Sequence, residues 1–205
     1  MISTAELLAL AGPVVAFAFS MSATPGPNNM MLTASGANHG FLRTLPHMAG
    51  ITVGCMVLMS AVALGLGAMF QQWPVLQLGL KVVGSIYLLW LAWKIASAPP
   101  PSKTSDAEAK RPMTFMQAAA FQFANPKAWV MAISGIASFT LTGDAFVTSA
   151  IVVVLLMGVT NLPSIALWAG FGVAIGRLLH TPLHWRWFNA VMGTLTAACV
   201  IMILA

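Results

Sequence analysis

Six long apolar runs, separated by short polar breaks, organise this chain. They cover roughly residues 6–36, 46–70, 74–96, 114–140, 145–174 and 187–205, and each approaches or exceeds the ~20 residues a helix needs to cross a bilayer core. The longest polar break, 97–113, opens Ser97-Ala98-Pro99-Pro100-Pro101 and closes Lys110-Arg111-Pro112, so its proline run and mixed charges predict a solvated linker. The expected fold is all-α: a polytopic membrane protein of about six transmembrane helices. Its parts are a first three-helix repeat (1–96), the linker (97–113) and a second three-helix repeat (114–205).

Leu7 to Phe19 also has the length of a signal-peptide core, and Ala16-Phe17-Ala18 mimics a cleavage site. A signal peptide carries a basic leading region, whereas the first charge here is Glu6 and the first cation Arg43. The segment is therefore read as the first membrane helix.

Composition agrees with the pattern. Of 205 residues, 59% are hydrophobic and 6% charged, with a mean hydropathy of +0.88. A soluble domain is about 25% charged, so a water-facing surface is excluded. The nine basic residues exceed the four acidic ones, but they form no stripe and no nucleic-acid motif accompanies them. They mark one side of a membrane instead. Arg43 follows span one; Lys103, Lys110 and Arg111 follow span three, with Lys94 just before that loop; Arg177 and Arg186 follow span five. The opposite loops, Gln71-Gln72-Trp73 and Thr142-Gly143-Asp144, hold no cation. With six spans every basic loop falls on the cytoplasmic face, and both termini lie outside. Five or seven spans would scatter the charges.

Three spans per half require the second half to enter the membrane in the opposite sense, so related halves would form an inverted repeat. Both halves interrupt their first span. Span one contains Thr24-Pro25-Gly26-Pro27-Asn28-Asn29, and span four contains Ala124-Asn125-Pro126-Lys127. Proline removes a backbone donor and clashes with the preceding turn, and the residue before it resists the α region. Two broken helices are expected, with freed backbone buried in protein or lining a wet cavity. Matched interruptions in two halves point to a transporter binding site. The plainer alternative is a pair of structural kinks.

Further blocks accompany these breaks. They are Gly36 and Gly40 in Asn-His-Gly-Phe, Ala49-Gly50-Ile-Thr-Val-Gly54, Gly84-Ser-Ile-Tyr87-Leu-Leu-Trp-Leu-Ala-Trp-Lys94 and Phe121-Gln-Phe-Ala-Asn125-Pro126-Lys127-Ala-Trp129. With Pro25-Gly26-Pro27-Asn28 they make the chain resemble the LysE/RhtB family of amino-acid exporters over nearly its full length. It looks closest to that family's cysteine/O-acetylserine exporter branch. Thr44 stands where the family often has another glycine. The resemblance implies outward, proton-coupled transport of small amino acids in a bacterial inner membrane.

An amino-acid substrate offers a carboxylate and an ammonium. Helix N-termini restarting after Pro27 and Pro126 suit the carboxylate, and Gly26 permits close backbone approach. Freed carbonyls and the amides of Asn28, Asn29 and Asn125 could accept from the ammonium. Substrate contact is thus assigned to Pro25, Gly26, Pro27, Asn28, Asn29, Asn125, Pro126 and Lys127. Lys127 falls ~16 Å into span four, near midplane. An intramembrane charge costs at least ~2.5 kcal/mol on insertion scales, so it should face the bundle interior. Either it binds the carboxylate or takes part in proton coupling, or it neutralises helix-end carbonyls or snorkels. No Asp or Glu lies mid-span, which removes a buried carboxylate relay. Asn161 and Pro163 form a further break in span five, lining the cavity or merely kinking the helix.

Other features read as structure. Gly36-xxx-Gly40 and Gly50-xxx-Gly54 predict close helix seams. Lys81 can snorkel, Trp73, Trp90, Trp93, Trp185 and Trp187 suit an aromatic belt, and the fourteen methionines fill gaps. Cys55 and Cys199 read as small buried hydrophobes. His39, His47, His180 and His184 read as interfacial, without the carboxylate or cysteine neighbours of a metal site. No cofactor is expected, no phosphate-binding motif suggests ATP use, and monomer and homodimer both remain open. The competing classes are a passive channel and a membrane-embedded enzyme, the latter lacking any mid-span nucleophile–base pair.

Overall fold

The computed structural model describes residues 4–66, 72–100 and 112–201. Gln71, most of the linker with Lys103, Asp106, Glu108, Lys110 and Arg111, and the last four residues lie outside the described residues. So does the side chain of Glu6. Among the described residues there are eight α-helices: α1 (Thr4–Ala23), α2 (Pro27–His39), α3 (Phe41–Ala61), α4 (Pro74–Ala96), α5 (Phe115–Ala124), α6 (Pro126–Phe139), α7 (Phe146–Leu178) and α8 (Pro182–Ala198). No described residue forms a strand.

The helix boundaries follow local chemistry. Pro27, Pro74, Pro126 and Pro182 each open a helix, where a missing N–H costs nothing. Thr114 and Gln117 form a reciprocal capping box at the start of α5, and the Thr181 hydroxyl accepts from the His184 amide at 3.2 Å. Gly40 separates α2 from α3 at φ 80, a left-handed value that favours glycine.

Both expected breaks are present: α1 gives way to α2 across Thr24–Gly26, and α5 to α6 at Asn125. The expected third break is not one, for α7 runs through Pro163 as a single helix of 33 residues. Its neighbours Asn161 and Ser164 are buried while Pro163 faces outward. Phe41–Leu66 and Gly143–Leu178 are each long and apolar enough to cross a membrane. Ala9–Ala23 and Pro27–His39, bent by 63° at their break, are apolar and long enough together to make a third if the pair is one span.

The polarity is that of a protein dissolved in lipid. Leu78, Val82, Val83, Ile86 and Leu89 of α4 and Val147, Ile151, Leu155 and Val159 of α7 are exposed. Asn29, Thr33, His47, Gln122, Asn125, Ser149, Asn161, Ser164 and Asn189 are buried. Leu32, Met48, Ile51, Leu58, Met59, Val153, Met157 and Ile165 belong to the main apolar core.

Small residues bring the helices together. A Cβ on Gly36 would meet the Ala169 backbone, one on Gly172 the Thr33 carbonyl and one on Gly176 the Ala37 backbone, so α2 and α7 run parallel in close contact. Gly50 and Gly54 of α3 lie against Phe115, Ala118 and Ala119 of α5, again parallel. Gly193 of α8 fits over Ala92 and Ala96 of α4. Gly40, however, faces open space, with nothing within 4 Å of where a Cβ would stand; it ends a helix and does not extend the seam.

Gly172→Ala is expected to lose ~1–3 kcal/mol through overpacking against Thr33. Gly170→Ala, on the same helix with open space around it, should be neutral or gain up to ~1 kcal/mol. Thermal unfolding of both variants in detergent checks the contrast.

Candidate functional site

A helix broken at membrane depth exposes carbonyls that need donors. At the end of α1 every carbonyl from Ser20 to Pro25 has one. Thr24 N–H donates to Ser20 O at 3.2 Å and the Thr24 hydroxyl to Met21 O at 3.0 Å. The Asn29 amide donates to Ser22 O at 2.8 Å and to Thr24 O at 2.7 Å. The Trp168 indole reaches across from α7 to Ala23 O at 3.1 Å. The Lys127 ammonium donates to Thr24 O at 2.5 Å, Thr24 Oγ1 at 2.8 Å and Pro25 O at 3.3 Å. The two breaks therefore face each other, joined by Lys127. Its three donors engage the end of α1, where a cation is favoured by the helix dipole.

Gly26 is the steric partner of that lysine. A Cβ there would lie 2.9 Å from Lys127 Cδ and 3.3 Å from Nζ. Its φ of 177 is ordinary extended backbone, so the requirement for glycine is space for the lysine stem.

The second break is organised by Asn125. Its Oδ1 accepts from Lys127 N–H at 3.1 Å, capping α6, while its Nδ2 donates to Gln122 Oε1 at 3.3 Å. The start of α2 has no side-chain cap. Trp129 donates from its indole to Phe123 O at 2.7 Å.

Gln122 is the residue that sequence reasoning missed. It is 0% exposed and forms a reciprocal amide pair with Asn28: Asn28 Nδ2 to Gln122 Oε1 at 2.8 Å, and Gln122 Nε2 to Asn28 Oδ1 at 3.2 Å. Gln122 Nε2 also donates to Ala118 O at 2.9 Å, and Cys55 Sγ approaches its Oε1 at 3.5 Å. A glutamine within an apolar span was the available signal, since a polar group there needs a partner.

Between the breaks lies a cavity of about 30 Å³, room for about two waters. Gly26, Pro27, Asn28 and Asn29 line it from the first break, with Asn125 and Lys127 from the second. Asn161 lines it from α7 and is held by an amide bond to Thr52 Oγ1 at 3.2 Å. Pro25, Pro126 and Pro163 are not lining residues; the first two shape the backbone that is. Met21, Ser22, Cys55, Ala128, Met131 and Ile165 complete the wall without having been expected there. The Ser22 hydroxyl is buried with no hydrogen-bond partner.

A second, larger cavity of about 520 Å³ opens at the end of the bundle that carries Arg43 and Lys94. His39, Arg43, His47, Tyr87, Trp90 and Lys94 line it. His47 is 2% exposed, and neither ring nitrogen has a partner. Lys94 Nζ sits 4.4 Å from the Trp90 ring centroid.

Among the described residues, a helical bundle with an apolar exterior, buried polar groups and two opposed broken helices is that of a membrane protein. The chain belongs to the LysE type translocator family, which matches residues 19–204. It is 31% identical over 180 residues to the cysteine/O-acetylserine efflux protein of Klebsiella pneumoniae subsp. pneumoniae, covering 88% of this chain and 89% of that one. The protein of the same name from Escherichia coli strain K12 is 28% identical over 183 residues, covering 88% and 90%. No solved structure matches significantly.

Gln122→Leu and Asn28→Leu should each destabilise by ~1–3 kcal/mol, because each strands a buried amide. The double variant should lose less than the sum, with ~0.5–3 kcal/mol of coupling. A double-mutant cycle on thermal or denaturant unfolding measures it; strict additivity would remove the pair as a clasp.

Proposed function

We propose that this chain is a secondary active exporter of a small amino acid or close derivative, of the cysteine/O-acetylserine kind, working by alternating access. The observation that carries the reading is the contact of the two breaks through Lys127, with a small polar cavity between them. The names of the relatives support the substrate class.

The proposed architecture is six spans in two inverted three-helix repeats, residues 1–96 and 114–205, joined by the linker 97–113. The first repeat holds α1–α2, α3 and α4; the second holds α5–α6, α7 and α8. Three contact patterns support it. Each repeat begins with a broken helix. The equivalent helices α3 and α7 pack antiparallel, since Thr52 meets Asn161 while Met56 meets Gly158. The packing of α3 on α5 has its counterpart in α7 on α1. The bacterial relatives support a bacterial inner membrane, and the charge distribution favours both termini outside.

A cavity of about 30 Å³ cannot hold an amino acid, so substrate entry must separate the breaks. Lys127 offers a way to do this without stranding polar groups. The substrate ammonium replaces the Lys127 ammonium at the Thr24 and Pro25 carbonyls, and the substrate carboxylate pairs with the released lysine. Asn28, Asn29 and the uncapped start of α2 provide further donors to the carboxylate. With no carboxylate placed mid-span by the sequence, Lys127 is the candidate for the coupled proton. Rocking of the halves about the site would then exchange its two openings.

Sealed proteoliposomes loaded with cysteine or O-acetylserine test the proposal. Efflux should accelerate under an opposing proton gradient, and external substrate should drive counterflow, which a passive channel does not support. Lys127→Met, with insertion confirmed, should slow efflux at least about tenfold, the equivalent of one lost charge-assisted contact. Unchanged efflux would reject the role of Lys127.

A further inference from the structure

We infer that the larger cavity holds a separate carboxylate-binding subsite, built by Arg43 and His47 of α3, His39 of α2 and Lys94 of α4. Arg43 and His47 are four residues apart on one helix and therefore share a face. The other two groups reach the same cavity from neighbouring helices.

The chemistry of the lining selects an anion. Several polar side chains here that could serve a neutral ligand are already engaged. The Ser35 and Thr44 hydroxyls are 2.9 Å apart, and Thr44 Oγ1 also bonds to Gly40 O at 2.9 Å. Asn38 Nδ2 donates to Ala34 O at 2.9 Å and to Asn189 Oδ1 at 2.8 Å. Gln117 Oε1 accepts from Thr114 N–H at 3.1 Å. The groups left over are the guanidinium, the ammonium, two imidazoles and the neutral donors of Tyr87, Trp90 and Gln117, so hydrogen-bond donors predominate. No described lining residue is acidic, and no described ion pair neutralises these cations.

His47 separates a built site from cations that merely mark a membrane face. Topology requires Arg43 and Lys94 near the interface; it does not require a histidine on the inward face. His47 is 2% exposed with both nitrogens unpartnered, and it lines the cavity. An imidazole so placed gains an acceptor for its N–H when an oxygen anion enters. That N–H donates to one carboxylate oxygen while Arg43 supplies its planar fork to the other. The cavity volume, about 520 Å³, is within the usual range for small-molecule sites.

The subsite rests on the exporter reading only for its role: capturing the substrate carboxylate on the basic face before transfer to the broken helices. Binding itself can be tested apart from transport. The protein in lipid nanodiscs is titrated calorimetrically with propionate, a carboxylate without an ammonium, and with propionamide, its neutral analogue. Propionate should bind and propionamide should not. Arg43→Gln and Lys94→Gln, both at exposed positions, should weaken propionate binding about fivefold or more, and His47→Phe about tenfold or more. Absence of propionate binding, equal binding of the two probes, or unchanged affinity in all three variants would overturn the subsite. Loss of propionate binding in Lys127→Met with full retention in the other variants would also overturn it, by placing the carboxylate between the breaks. Propionate binding without transport of any amino acid would defeat the exporter reading and leave the subsite standing.

Discussion

The carbonyl groups released where α1 stops are the constraint around which the rest of this bundle is arranged. At membrane depth no bulk water can take them. Six consecutive carbonyls, Ser20 to Pro25, find donors on four different stretches of chain: their own turn, Asn29 of α2, Trp168 of α7 and Lys127 of α6. Each donor must come from a helix held at the right height. The glycine seams supply that registration. Gly36, Gly172 and Gly176 bring α2 against α7, and Gly50 and Gly54 bring α3 against α5. Without close backbone approach, a side chain as short as asparagine or threonine would not span the interhelical gap.

On the exporter reading, the same residues would serve both stability and transport. A donor held against a carbonyl by hydrogen bonding alone can be exchanged for another donor. The Lys127 ammonium and a substrate ammonium are chemically alike, so exchanging one for the other leaves the end of α1 satisfied. The Asn28–Gln122 amide pair has the same property, since an amide can trade its partner for a carboxylate or ammonium. Apolar contacts hold the scaffold, and exchangeable polar contacts are concentrated where the helices are broken. The polar groups gather at two cavities, the large basic one and the small one between the breaks.

Much of this was legible in the pattern of residues. The two breaks follow from Pro25, Pro27 and Pro126, because proline acts on the local backbone wherever it occurs in a helix. The inward position of Lys127 follows from the cost of charge in lipid. Gly50 and Gly54 were readable as a seam from their spacing alone. Pro163 misled for an instructive reason: it faces outward on a long helix packed on its other side against α2 and α3, and those contacts keep α7 continuous past one missing hydrogen bond. Gly40 misled likewise, because the four-residue spacing to Gly36 does not reveal that its φ is 80.

Local chemistry in the sequence thus determined that the chain is helical, lives in lipid, breaks its helices at two places and carries one cation near them. Partnership was decided only by the tertiary structure. Gln122 meeting Asn28, Trp168 meeting Ala23, and His47 standing buried without a partner all depend on residues far apart along the chain brought to one height. The hydrophobic exterior cannot specify such meetings, since lipid accepts an apolar face in any rotation. Hydrogen bonds between buried polar groups can, because each is directional and costly to leave unmade.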